Sequence, residues 1–388
     1  MKYDFDKIIE RKGTASVKYD LVEELYGRED LLPMWVADMD FETPYFIREA
    51  IAERLAHPVL GYGIRPQSFF EAVALWLDKR HNWKVDPREI SFSPGVVTGL
   101  YLAQKAFSQN GDAVVVQPPV YFPFFITVNK NKRKLVYNQL IENEGYYKMD
   151  FDDLELKLKD VSTKMIFISN PHNPVGRAWK KDELERLVEL CYESNTLIIS
   201  DEIHSDLILK PHKHIPVASL SEKAAEITLT LMAPSKTFNM AGLSTSVVIA
   251  KNPRLLKKYN EMLEATHTGQ GNVFGTVAAE AAYRCGASWL DELMDYIGGN
   301  VDFVSDFIKE NLPGIKMQKT EATYLLWLDV RALGMNSKQL KELFVNKAGL
   351  ALNYGEIFGP GGKGFVRMNV GAPRKLIVEA MERIGRVV

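Results

Sequence analysis

Cysteine is scarce in this chain. Cys191 and Cys285 are the only two in 388 residues, each alone in a helical-looking stretch. That fits a reducing compartment in which both thiols stay free as core fillers, and it leaves no disulfide framework to read. An excess of either charge is also missing: 48 Lys and Arg stand against 50 Asp and Glu, with a formal net charge of -2. The basic residues are scattered among acidic ones, so there is no electrostatic footprint for nucleic acid or an anionic membrane, and the expected partner is a small molecule. No segment reaches the roughly 18 apolar residues of a membrane span. The amino-terminal Met1-Lys2-Tyr3-Asp4-Phe5-Asp6 has neither a basic start nor an apolar run, and the expected location is the cytoplasm. Internal repeats, low-complexity tracts and Ser/Gly linkers are absent too, so any lobes are joined by ordered structure. What is present is 46% hydrophobic and 25% charged residues, the composition of an ordinary globular chain long enough for two lobes with their own cores.

From about residue 90 to 250, short β-branched runs alternate with longer amphipathic stretches. The runs are Ala113 to Val116, Met165 to Ile168, Leu197 to Ser200, Thr228 to Met232 and Val247 to Ala250. This is the pattern of a mostly parallel sheet covered by helices, an α/β class. A long helical region follows through about residue 311. Beyond it, Tyr324 to Leu328, Gly349 to Leu352 and Phe365 to Asn369 read as shorter strands of a smaller α+β lobe, joined by the first forty-odd residues. Ligands of open α/β sheets collect at the carboxyl ends of the strands, so the residues just past those runs carry the most information.

Three strand ends stand out. Asn170-Pro171-His172-Asn173-Pro174-Val175-Gly176 follows the Met165 run in a series of turn formers. Asp201-Glu202-Ile203-His204 follows the Leu197 run, and Ala233-Pro234-Ser235-Lys236-Thr237 follows the Thr228 run. Taken singly, the Asp reads as a cap or turn residue, the His as structural and the Lys as a solvated charge. Asn, Asp and Lys in that order at three strand ends read differently.

The chain resembles the fold type I, class I/II aminotransferase superfamily, whose signature order is the Asn-Pro-x-Asn-Pro-x-Gly turn, then the Asp, then the Ser-Lys segment. The likeness extends over nearly the whole sequence. It implies a pyridoxal 5'-phosphate (PLP) dependent transferase fold of type I, with a large domain built on a mostly parallel sheet over residues 45–285. Residues 1–44 and 286–388 would form the smaller α+β domain. On the resemblance, Lys236 carries the cofactor as a Schiff base and then moves the α-proton, and Asp201 partners the protonated pyridine nitrogen. Asn173 donates to the ring 3'-oxygen, and Tyr121 stacks on the ring face, although a core aromatic in a Pro-rich turn is the plain alternative. Ser93-Pro94-Gly95-Val96-Val97-Thr98 opens a helix, and Gly95, Val96 and Val97 are the expected phosphate amides, with a hydroxyl from Ser235. Tyr62 resembles the tyrosine that reaches the phosphate from a neighbouring subunit, which implies a homodimer with shared active sites. Arg367 matches the arginine that clamps the substrate α-carboxylate, against the plain reading of an exposed strand arginine.

Two departures narrow the likeness. Ser244 stands eight positions after Lys236, where most aminotransferases have a phosphate-binding arginine, so phosphate affinity must come from elsewhere. His204 stands three after Asp201, where a tyrosine commonly shares the 3'-oxygen. Both, together with Met34-Trp35-Val36-Ala37-Asp38-Met39-Asp40-Phe41, are similar to the MalY/PatB branch of carbon-sulfur lyases, in which this segment lines the substrate site near Ala37. The branch implies a cystathionine β-lyase-like elimination. Nothing in spacing or composition separates that from transamination, which shares the same first half, and a regulator-binding protein on the same fold is a third reading. Gly359-Pro360-Gly361-Gly362-Lys363-Gly364 lacks P-loop spacing, Gly269-Gln270-Gly271 does not directly follow a strand, and His212 and His214 have no third ligand in view, so no metal is expected.

Overall fold

The computed structural model describes residues 2–388. Its centre is a sheet of β1 (Ile90–Ser93), β2 (Ala113–Val116), β3 (Lys134–Tyr137), β4 (Thr163–Ser169), β5 (Leu197–Asp201), β6 (Thr228–Met232) and β7 (Ser246–Ile249). These lie side by side in the order β1-β7-β6-β5-β4-β2-β3. From β6 to β3 every pairing is parallel. Strand β7 runs antiparallel to both β6 and β1, a reversal that the apolar run Val247 to Ala250 did not disclose. The reason lies in the connection. Residues 233–245 hold only the one-turn helix Pro234–Thr237 and a 3-10 turn at Ala241–Leu243, not the full crossover helix that a parallel return needs.

The β-branched runs are continuous rather than alternating because both faces of the sheet are covered. On one face Val115, Ile166, Ile168 and Ile198 pack with Leu184, Leu187, Val188 and Cys191 of α4 (Lys181–Glu193). On the other, Val114, Val116, Phe167 and Ile199 pack with Val96, Leu100 and Ala103 of α3 (Val96–Phe107) and with Leu256, Tyr259 and Leu263 of α5 (Pro253–Ala265). Each fully buried Val, Leu or Ile side chain of this kind contributes about 1.5–3 kcal/mol. Two further helices precede the sheet, α1 (Tyr45–Ala56) and α2 (Gln67–His81), and pack on α6 (Val273–Cys285). Cys191 is buried, whereas Cys285, expected as a core filler, is exposed because it ends α6 beyond its buried face.

The 25-residue α7 (Ala287–Asn311) leads to an antiparallel sheet of β8 (Lys316–Met317), β9 (Leu325–Asp329), β10 (Asn353–Tyr354) and β11 (Phe365–Asn369), ordered β8-β9-β11-β10. The run Gly349 to Leu352 supplies only Leu350–Ala351, which pairs in parallel with Leu32–Pro33 instead of joining that sheet. Residues 34–41 continue from this pairing as a strap. Among the described residues no helix is long and apolar enough to cross a membrane.

Candidate active site

The topology brings the carboxyl ends of β1, β4, β5 and β6 to one edge, with the start of β7 among them: Ser246 is opposite Ser93, and Asp201 is opposite both Ser169 and Leu231. A cavity of about 230 Å³ opens there. Ala37, Gly95, Val96, Val97, Tyr121, Asn173, Asp201, His204, Ser235 and Lys236 all line it. Residues far apart in sequence meet because each sits just past a strand end or, for Ala37, on the strap.

Lys236 belongs to the turn Pro234–Thr237, and its Nζ donates to the Ala37 carbonyl at 2.6 Å. Burial pushes its ammonium down to about 8, although Asp38 and Asp201 pull the other way. The strap that presents this carbonyl is held by side chains along its length. Tyr324 Oη donates to the same Ala37 oxygen at 3.0 Å, Asn369 donates to the Val36 and Asp38 carbonyls, and Arg367 Nη2 donates to Trp35 O at 2.9 Å. Asn239, in left-handed backbone at φ 52°, accepts from Met39 N and donates to Met39 O and Phe41 O.

Asp201 is 4% exposed, and among the described residues its carboxylate is given one hydrogen bond, from Ile203 N at 3.1 Å. Burial therefore raises its carboxyl to about 7, with the neighbouring Glu202 adding to the rise. A carboxylate so short of donors on a cavity wall is matched by a ligand that brings a cationic N–H. His204 is equally buried. Burial, followed by repulsion from Lys236 and Arg367, drives its imidazolium down to about 3, so the ring is neutral near pH 7, and its Nδ1 has no partner among the described residues.

Arg367, on β11, is 3% exposed. It is thus no exposed strand arginine, yet it stands one layer behind the cavity wall. Its Nη1 donates to Asn173 Oδ1 at 3.0 Å and its Nη2 to Asn353 Oδ1 at 2.7 Å, while Nε has no partner and no carboxylate pairs with it among the described residues. Burial lowers its pKa to about 10. A buried guanidinium without a counter-ion is costly, and a ligand carboxylate would supply one. Because Arg367 takes the Asn173 oxygen, the Asn173 amide nitrogen is left as an unspent donor.

At the other end of the cavity, α3 begins at Gly95 with no side-chain cap, so the N–H groups of its first turn are free for an anion. Gly95 adopts φ 155° and a Cβ there would meet nothing within 4 Å, which leaves open space over those amides. Ser244 and Thr245 also line the cavity, so hydroxyls stand where an arginine was missing. Tyr62 is not in the wall: it is 95% exposed. Residues of the wall that the reading of the sequence missed include Thr98, Ser169, Ile203, Ala241 and Thr245. Each adjoins or nearly adjoins a residue that was found, but none carries the charge or ring by which chemistry is recognised in a sequence.

The family model for aminotransferase class I and II matches residues 29–384. Cystathionine beta-lyase PatB of Bacillus subtilis is 48% identical over 381 residues, covering 98% of either chain. Protein MalY of Escherichia coli is 32% identical over 374 residues, 96% of this chain and 95% of that one. Among solved structures, cystalysin from Treponema denticola, which contains a pyridoxal 5'-phosphate cofactor, superposes with a TM-score of 0.97 at 38% identity, over 100% of this chain and 99% of that one. By sequence along nearly its full length and by the strand-end cavity built around Lys236 and Asp201, the chain belongs to the class I and II aminotransferase family, in its MalY/PatB branch.

Proposed function

We propose that this chain is a PLP-dependent carbon-sulfur β-lyase acting on L-cystathionine or a related S-substituted cysteine. The observation that carries the reading is one cavity with a depressed lysine, a donor-starved carboxylate and an uncapped helix start along its wall, and a counter-ion-free arginine behind it. Those four features match an aldehyde, a pyridinium, a phosphate and an α-carboxylate in turn. The likeness to PatB, at 48% identity, supports the lyase branch.

When bound, pyridoxal phosphate supplies the electron-poor ring that takes up the electron pair left by α-proton removal. Lys236 would hold this group through Nζ and, as a neutral amine, would take the α-proton of the substrate. Asp201 would keep a proton on the ring nitrogen by its negative charge. Asn173 would donate its free amide N–H to the ring oxygen, Tyr121 would pack against the ring, and the amides at Gly95, Val96 and Val97 with the Ser235 hydroxyl would hold the phosphate. His204, neutral and with Nδ1 unpartnered among the described residues, offers a ring nitrogen for hydrogen bonding at the wall. Arg367 pairs with the substrate α-carboxylate through donors it has not spent. The Cβ–S bond would then break with its own electron pair leaving on the thiolate, which takes a proton, while the pair left by α-proton removal forms the Cα–Cβ double bond, and water hydrolyses the resulting enamine to pyruvate and ammonia.

We further infer a cytoplasmic homodimer in which Tyr62 of the partner subunit completes the phosphate site. Leu60, Tyr62 and Ile64 are 56%, 95% and 85% exposed on one short stretch, an apolar surface of the kind a second copy covers. Residues 45–285 are read as the large domain and residues 1–44 with 286–388 as the small one, a division supported by the seven-stranded sheet lying within the first and the four-stranded sheet within the second.

The deciding experiment is pyruvate release from L-cystathionine by the PLP-loaded protein with no keto acid present. Sustained release is expected. If instead the visible absorbance of the cofactor falls once and returns only when a keto acid is added, the chain is an aminotransferase. Arg367→Lys tests the carboxylate anchor. A point charge cannot replace the planar fork, so kcat/KM should fall about 100-fold, ~2.7 kcal/mol, chiefly through KM; an unchanged KM would place the anchor elsewhere.

A further inference from the structure

Asp206 follows the Asp201 segment, is 8% exposed and does not line the cavity. Its carboxylate is nevertheless a hub. Oδ1 accepts from Trp76 Nε1 at 3.0 Å and lies 2.9 Å from His81 Nε2, and Oδ2 accepts from Thr237 Oγ1 at 2.9 Å. Trp76 and His81 belong to α2, and Thr237 is the residue after Lys236. Burial opposes ionisation of Asp206, and the bonds from His81, Thr237 and Trp76 outweigh it, so its carboxyl lies below the ordinary range.

The lysine-bearing segment needs outside support. Pro234–Thr237 is a single turn, its N-cap Ala233 offers no side-chain cap, and a lone turn has no stability of its own. Phe238 packs on the Trp76 ring at 5.6 Å and on Trp289 at 5.8 Å, and Asn239 bonds the strap, so the chain is anchored just beyond the turn. The hydrogen bond from Thr237 to the buried Asp206 carboxylate, at 2.9 Å, is directional and charge-assisted, and it anchors the turn from the residue next to Lys236.

We propose that Asp206 is a positioning residue which, through the Thr237 hydroxyl, orients the Pro234–Thr237 turn so that the Lys236 amine points at the Ala37 carbonyl and the cavity. This rests on the reading of Lys236 as the cofactor-bearing lysine. Displacing a reacting group by about 1 Å costs on the order of 100-fold in rate, so a single lost bond here is expected to be measurable.

The test uses the PLP-loaded full chain and the variants Thr237→Val, Thr237→Ser and Asp206→Asn. The pH titration of the visible absorbance of the cofactor on Lys236 is read without substrate, followed by kcat and KM. Thr237→Val, which is isosteric and should fold, is expected to shift the titration midpoint by about half a pH unit or more. It should also lower kcat by about 10- to 100-fold, with KM changing less than about threefold. Thr237→Ser should restore both values, and Asp206→Asn should follow Thr237→Val. A wild-type midpoint and kcat in Thr237→Val would overturn the proposal and leave Asp206 a purely structural carboxylate, even if Asp206→Asn lowers the Tm. Absence of the cofactor band in the unaltered protein would overturn the reading beneath it, and the proposal with it.

Discussion

Lys236→Ala is expected to abolish pyruvate release, by more than about a thousandfold, because one side chain serves as both covalent anchor and base. Its amine is already placed for this, half-buried and 2.6 Å from the Ala37 carbonyl. The variant should bind PLP without the absorbance of a lysine-linked cofactor. Steady-state pyruvate assays and a visible spectrum check both points, and residual turnover within about tenfold of the parent would refute the assignment. The unaltered protein carries a pH signature of the same group. Burial brings the amine to about 8, and only its neutral form attacks an aldehyde. The rate at which cofactor-free protein captures PLP should therefore rise with pH and level off above about 8. An ordinary lysine would keep rising toward about 10.4.

Asp201→Asn should produce the second large loss, about 100- to 1000-fold in kcat, with a much smaller change in cofactor affinity. The substitution keeps the shape and the bond from Ile203 N but removes the charge. In the free cavity burial holds the carboxyl up at about 7, and the one N–H that it is bonded to among the described residues only partly offsets this. A ring N–H cation is the partner that makes ionisation favourable, and in return the carboxylate keeps the ring protonated. An amide cannot do so, and the ring then withdraws electrons weakly. A kcat within about threefold of the parent would mean that the ring nitrogen lies elsewhere. Measuring the Kd for PLP alongside kcat separates this from simple loss of binding.

Much of the cavity was legible along the chain because it is made of strand ends. Asn173, Asp201, Ser235 and Lys236 each follow an apolar β-branched run, so local pattern places them at strand ends, whereas Gly95, Val96 and Val97 at the start of α3 were singled out through the family resemblance. Arg367 and Tyr62 show where that reasoning thins. A strand arginine looks the same in sequence whether it faces water or lies behind Asn173, and burial at 3% is set by the packing of β9, β10 and β11. Tyr62 stands 95% exposed on its own chain, where no local rule says what covers it. Thr98, Ile203 and Thr245 were passed over since they contribute backbone, bulk or a hydroxyl, signals that are common everywhere.

The order of the motifs and the period of the apolar runs determined by themselves the α/β class, the two sheets and the lysine, aspartate and asparagine at the strand ends, for these depend on neighbours a few residues apart. Only the tertiary structure decided that β7 runs backwards, that Cys285 faces solvent, that the strap carbonyl of Ala37 receives Lys236, and that Asp206 holds Thr237. Each of these is a contact or exposure set by segments tens to hundreds of residues apart, and the physical reason is the same: burial, which shifts Lys236, Asp201 and Arg367 from their ordinary acidities, belongs to the packed whole and to no single segment.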